Sequence, residues 1–121
     1  MQVEKVDFVS VPSRDAEQAA KFYGEVLGLP LEKLTPIGAE FGAGNVTLGI
    51  WEPEKIGIAF SPNPAGIALR VADVHAARAE LEAQGVEFQG ETHDTGVCHM
   101  AIFTDPDGNL LMLHRRYAPV E

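Results

Sequence analysis

The chain has 121 residues, 45% of them hydrophobic, and sets 9 Lys and Arg against 18 Asp and Glu for a formal net charge of −9. That length suits one compact domain with its own core, and the acidic balance speaks against nucleic acid or an anionic membrane as partner. A single cysteine, Cys98, rules out an internal disulfide; no apolar run is long enough to cross a bilayer, the opening residues lack the pattern of a signal peptide, and the expected compartment is the cytoplasm. The acidic surface serves solubility first, and modestly favours a cationic ligand.

Residues 6–11 predict a strand, with Val9 and Val11 on one face and Phe8 and Ser10 on the other. Pro12 has no N–H for a central ladder and marks the exit. Ser13 or Asp15 can cap the helix that follows, and Gln18 stands where a capping box needs it. Ala19, Phe22, Tyr23, Val26 and Leu27 make an apolar stripe at helical spacing, and Gly28 is placed to end the helix. Weak strands over 31–34 and 39–41 and a Gly-Asn turn lead to a firmer strand over 46–51. There Val46, Leu48 and Ile50 alternate with Thr47, Gly49 and Trp51. Residues 52–66 contain Pro53, Pro62 and Pro64 and read as a connection.

The outline then recurs. Ile67, Leu69 and Val71 share one strand face, and Gly66, Ala68 and Arg70 the other. Asp73 caps a helix carrying Val74, Ala77 and Leu81 on one side, and Gly85 ends it. A short strand over 86–88 precedes a polar, loop-like stretch over 90–96. Strands over 97–104 and 110–114 flank a tight Asp-Gly-Asn turn and make a hairpin. Antiparallel pairs with helices on one face predict an α+β layer structure. Its covered face would hold Val9, Val11, Val46, Leu48, Ile67, Leu69, Leu111 and Leu113. The other face would hold Phe8, Ser10, Thr47, Gly49, Trp51, Gly66, Ala68, Arg70, Leu110, Met112 and His114.

Three stretches carry a family resemblance. The first is Val9-Ser10-Val11-Pro12, Asp15, then Phe22-Tyr23-Gly24-Glu25-Val26-Leu27-Gly28-Leu29. The second is Ile67-Ala68-Leu69-Arg70-Val71, Asp73-Val74 and Gly85-Val86-Glu87-Phe88. The third is Phe103-Thr104-Asp105-Pro106-Asp107-Gly108-Asn109-Leu110-Leu111. Together they resemble the vicinal oxygen chelate superfamily, the glyoxalase, bleomycin-resistance and extradiol-dioxygenase group. The resemblance implies one domain over 1–121 made of two βαβββ modules, about 3–53 and 65–117 with a linker over about 54–64. It also implies a cupped, mostly antiparallel sheet with a pocket inside, and a homodimer.

Metal-dependent members of that group place His, Glu or Gln at four sheet positions. The matching positions here are Phe8, Gly49, Gly66 and Met112, and a one-residue slip at either glycine still supplies no ligand. Zinc, iron(II) and nickel need imidazole, carboxylate or thiolate donors. No metal cofactor is therefore expected, which counts against glyoxalase, dioxygenase and metal-dependent thiol-transfer chemistry.

The expected ligand pocket is lined by Phe8, Trp51, Arg70, Cys98, Met100, Ile102, Met112 and His114. Phe8 and Trp51 can stack on a ligand or serve the core, and the sequence leaves both open. Arg70 can pair with a ligand carboxylate or phosphate, or with an internal carboxylate. Strand parity with Ile102 puts Cys98 and Met100 inside and His99 outside. Cys98 reads as a small hydrophobe rather than a nucleophile, and the two methionines suit irregular ligands. His114, sharing the Met112 face, is a candidate proton donor or acceptor. The 105–109 segment lacks the spacing of a calcium loop and reads as a turn. The favoured function is a metal-free small-molecule binder similar to the drug-sequestering branch. The alternative is a lyase, isomerase or dioxygenase-like enzyme with a displaced metal site of His93, His99 and His114, or with His114 as general base. A structural or regulatory dimer is the third class.

Overall fold

The computed structural model describes residues 1–119. Its elements are β1 (Phe8–Pro12), α1 (Ala16–Lys21), β2 (Leu31–Thr35), β3 (Gly38–Gly42), β4 (Thr47–Trp51), β5 (Ile67–Arg70), α2 (Val74–Ala83), β6 (Phe88–Asp94), β7 (Cys98–Thr104) and β8 (Leu110–Arg116). They fall into two compact units, Met1–Pro62 and Asn63–Glu121. Each unit has its own four-stranded sheet, ordered β1-β4-β3-β2 in one and β5-β8-β7-β6 in the other. Within each sheet the first strand runs parallel to the last, and the remaining neighbours are antiparallel. The fold is α+β, with the βαβββ order in each unit.

Local chemistry explains the helices. Asp15 is the cap of α1, accepting the Gln18 N–H at 3.1 Å, while the buried Ser13 hydroxyl accepts the Asp15 N–H at 3.0 Å. After Lys21 the helix widens to a π-helical turn over Phe22–Val26, with Leu27 N–H reaching Phe22 C=O at 3.0 Å. The sequence predicts a regular helix here; the wider turn is the difference. Tyr23, fully buried, sits against Phe41 with ring centroids 6.3 Å apart. Asp73 caps α2 in the same way as Asp15, accepting the Ala76 N–H at 3.0 Å. Gly28 and Gly85 follow the two helical segments with φ of 74° and 90°, a conformation that favours glycine.

The cores form between each helix and one face of its sheet. In the first unit Val11, Ala19, Tyr23, Phe41, Leu48 and Ile50 are buried. In the second, Val74, Leu81, Ala101, Phe103, Leu111 and Leu113 are. These alternate along each strand with residues on the open face, as period-two geometry requires.

One expectation is corrected. The polar stretch over 90–96, expected as a loop, lies in strand β6 as far as Asp94. β6 is the edge of its sheet and past Phe88 most of its residues are exposed, so no covered face imposes an apolar period on it. An irregularity between Gln89 and His93, with Gly90 at φ 70°, also breaks its periodicity. The 105–109 segment is a turn, as expected. Buried Asp105 accepts the N–H groups of Asp107 and Asn109, each at 2.9 Å, and the Asn109 side-chain amide donates to it at 2.8 Å. Asn109 Oδ1 in turn accepts the Asn63 N–H at 2.8 Å, which fastens the start of β5's approach to the start of β8.

Candidate functional site

The open face of the first sheet forms a groove of about 490 Å³, lined by Phe8, Ser10, Pro36, Ile37, Glu40 and Trp51 among others. β1 and β4 place Phe8 and Ser10 beside Thr47 and Gly49, and β3 pairs Glu40 with Gly49. Phe8 is 56% exposed, so its ring is a wall of the groove and not part of the core. Gly49 makes room for that ring: a Cβ there would stand 3.3 Å from Phe8 Cδ2. Among the described residues, the Trp51 indole Nε1 is buried with no hydrogen-bond partner.

Glu40 was not among the residues expected at a site. Its signal was present: Ala39 and Phe41 are the core-facing residues of β3, which leaves Glu40 on the open face. Glu32 adds a second carboxylate on that side, accepting a hydrogen bond from the Thr47 hydroxyl at 3.2 Å. Lys33 stands opposite Glu40 in register, yet among the described residues no ion pair joins them.

The second sheet gathers the other expected residues on its own open face. Met100 pairs with His114, Ile102 with Met112, and Cys98 with Arg116. β5 adds Ala68 beside Met112 and Arg70 beside His114. Paired residues point to the same side, so Arg70, Cys98, Met100, Ile102, Met112 and His114 share one surface. Phe8 and Trp51 belong to the other unit and its groove.

The register separates the three histidines. His93 pairs with Met100 and so lies on the open face, two strands from His114, roughly 10 Å at ordinary strand spacing. His99 lies on the helix side instead, with its ring 5.0 Å from that of His75 on α2 and 4.7 Å from that of Tyr117. Asp94 joins this helix-side group at 3.4 Å from His99 Nε2. Among the described residues no three His, Cys, Asp or Glu side chains are placed to hold a metal ion together.

The four positions that would carry ligands in a metal-dependent relative are filled in another way. Phe8 lies over Gly49. Gly66 has φ 77°, and a Cβ there would meet Met112 Cε at 3.1 Å and Leu110 Cδ2 at 3.2 Å. A Cβ at 49 or 66 would press on these neighbours, which would have to give by a few tenths of an ångström, and a phenyl and a thioether are poor partners for hard or borderline cations. The residues present do not fit a metal at that place.

A βαβββ pair with open sheet faces defines a recognisable class of α+β protein. The model of the Glyoxalase/Bleomycin resistance protein/Dioxygenase superfamily matches residues 5–113, and the chain belongs to that superfamily. No curated protein sequence matches significantly. Among solved structures, the chain is similar to TnmS3, an antibiotic binding protein from Streptomyces sp. CB03234, at 30% identity and a TM-score of 0.78 over 96% of this chain and 98% of that one. A glyoxalase/bleomycin resistance protein from the same organism is 29% identical, with a TM-score of 0.72 over 92% of this chain and 100% of that one. The lactoylglutathione lyase from Agrobacterium tumefaciens, 19% identical, shares the fold with a TM-score of 0.76 over 94% of this chain and 95% of that one.

Proposed function

We propose that this chain is a small-molecule-binding protein that works without a bound metal ion. The observation that carries the proposal is the groove of about 490 Å³ whose walls are the exposed Phe8 ring and Trp51. Such a volume suits a drug-sized ligand, and aromatic walls give it flat apolar contact. The 30% identity to an antibiotic binding protein supports the same class of ligand. Glu40 and Glu32 on this side favour a ligand that carries a positive charge into the groove, and Trp51 can add a cation–π contact. In this reading the protein acts in the cytoplasm as a homodimer. The exposed apolar residues Val3, Val6, Leu34 and Ile58 support an association of that kind.

The test is a thermal-stability screen of chelator-treated, dialysed protein against cationic and neutral aromatic antibiotics, paired with elemental analysis of the same sample. A ligand that binds only the folded state raises the melting midpoint as its concentration rises. A concentration-dependent rise with no stoichiometric metal is the expected result. Stoichiometric zinc, nickel, iron or manganese, or a rise that needs one of them added back, contradicts it.

A further inference from the structure

We infer that the outer edge of β2, with the groove between it and α1, is a docking site for an extended peptide segment that carries aliphatic and basic side chains at alternate positions. This surface lies on the helix side of the first sheet, apart from the small-molecule groove, and the inference does not rest on that reading. β2 is the outermost strand of its sheet and pairs with β3 alone, so one row of its main-chain N–H and C=O groups has no strand beside it. Such edges are commonly blunted by bulges and lysines. Here the irregularity lies between Leu31 and Lys33, and Lys33 pairs with Glu40 on the open face, which leaves residues 33–35 in regular register and their helix side clear. α1 covers β3 but not β2. Ala39 and Phe41 are each 2% exposed, whereas their partners Leu34 and Leu31 are 70% and 52% exposed.

The groove beside that edge has a volume of about 430 Å³. Ala16, Ala20 and Ala39 supply its apolar floor, and Leu34 stands on its β2 side. Asp15, Glu17 and Glu52 line it with carboxylates, against the one ammonium of Lys55. Glu52 takes up that ammonium at 2.7 Å, and among the described residues no ion pair reaches Asp15 or Glu17. The charge left over is negative. It selects a partner with Lys or Arg and disfavours a second copy of this chain, whose net charge is −9. Strand addition supplies main-chain bonds along an edge, and the side chains on one face of the added strand supply the selection. Alternate residues of a strand point to one side, roughly 7 Å apart. An aliphatic residue of the added strand therefore covers Leu34 while a basic one two positions along reaches the carboxylates beside α1.

Three capped hexapeptides, added to the full-length protein, test the site. They are Thr-Val-Thr-Lys-Thr-Val, the same peptide with Glu in place of Lys, and the Lys peptide with every amide N-methylated, which removes its main-chain donors. Backbone-amide NMR of the isotope-labelled protein reads where each one lands. The Lys peptide is expected to shift residues 33–35 together with Ala16 and Ala20 saturably. It should bind about fivefold more tightly than the Glu peptide and about tenfold more tightly than the methylated one. Glu17→Lys should remove most of the preference for Lys over Glu, and Leu34→Thr should weaken both of those peptides. Both positions are exposed, so both variants are expected to melt near the wild type, and loss of binding is then not loss of folding. Binding that ignores peptide charge or survives Glu17→Lys with its preference intact overturns the inference. So do shifts confined to the open face around Phe8 and Trp51, or no shift with any peptide. Movement of the residue 33–35 amides when the peptide-free protein is diluted overturns it as well, because the occupant is then a second copy.

Discussion

Phe8 illustrates how a single residue separates site from scaffold. A phenyl ring left 56% exposed on a strand adds little to the core, and it stands at a position where the family resemblance implies a ligand in metal-dependent members. Replacing Phe8 by Ala is expected to change folding stability by less than about 0.5 kcal/mol. It should weaken a bound aromatic ligand about tenfold. Melting curves and a binding titration on one preparation check the two halves, and a large fall in stability would return Phe8 to the core. Ligand identity is less legible at this scale. Glu40 reaches the groove by the parity of β3, but its importance comes from Gly49 opposite, over which the Phe8 ring packs to wall the groove beside it.

Among the elements, the 105–109 turn and the end of β6 each make a definite expectation. Asn109 is buried and bonds both Asp105 and the Asn63 backbone. Asn109→Ala leaves the Asp105 carboxylate short of a donor and the Asn63 N–H without its acceptor. The expected cost is about 1–3 kcal/mol, read from denaturant unfolding. At the β6 end, the Gly96 N–H and the Tyr117 hydroxyl both donate to Asp94 Oδ1, at 2.9 and 2.7 Å. The first bond, then the second, holds the Asp94 carboxyl below its ordinary range, and the acceptor in turn raises the Tyr117 phenol. Asp94's contribution to stability is present above the ordinary carboxylate range and fades as pH falls through its lowered value. Tyr117's is present below the ordinary phenol value of about 10 and fades as pH rises through its raised one. Residue-resolved titration of Tyr117 should place its ionisation above that value, and Asp94→Asn should bring it back. An unchanged midpoint in the variant would remove Asp94 as the cause.

These elements also show what the sequence can and cannot disclose. Asp15, Asp73, Gly28 and Gly85 mark helix ends by local bonding, so the helices are legible one residue at a time. The alternation of Leu48 and Ile50 with Thr47 and Gly49 reads directly as a half-covered strand. β6 is not legible, because most of its residues are exposed and its ladder is irregular, so no apolar period marks it. The π-helical turn at Phe22–Val26 is hidden as well, since its wider hydrogen bonding leaves the apolar stripe intact.

For the whole molecule, net charge proves a weak guide to the site. An acidic chain carries a largely apolar groove with one lining carboxylate, Glu40, on one sheet and an arginine-bearing face on the other, so charge has to be read face by face. The superfamily is established by the match over residues 5–113, whereas its chemistry depends on what stands at a few positions. At the positions where the resemblance implies donors, Phe8, Gly49, Gly66 and Met112 offer a phenyl ring, two glycines packed under neighbouring side chains, and a thioether. Trp51 is the sole tryptophan, so its fluorescence reports the groove without ambiguity. The most direct measurement is therefore a titration of chelator-treated protein with aromatic antibiotics, followed through Trp51 and repeated after adding back zinc, nickel, iron or manganese. A saturable change in the metal-free protein that added metal leaves unaltered is the expected result. A signal that appears only with metal present, or none with any compound, contradicts the account.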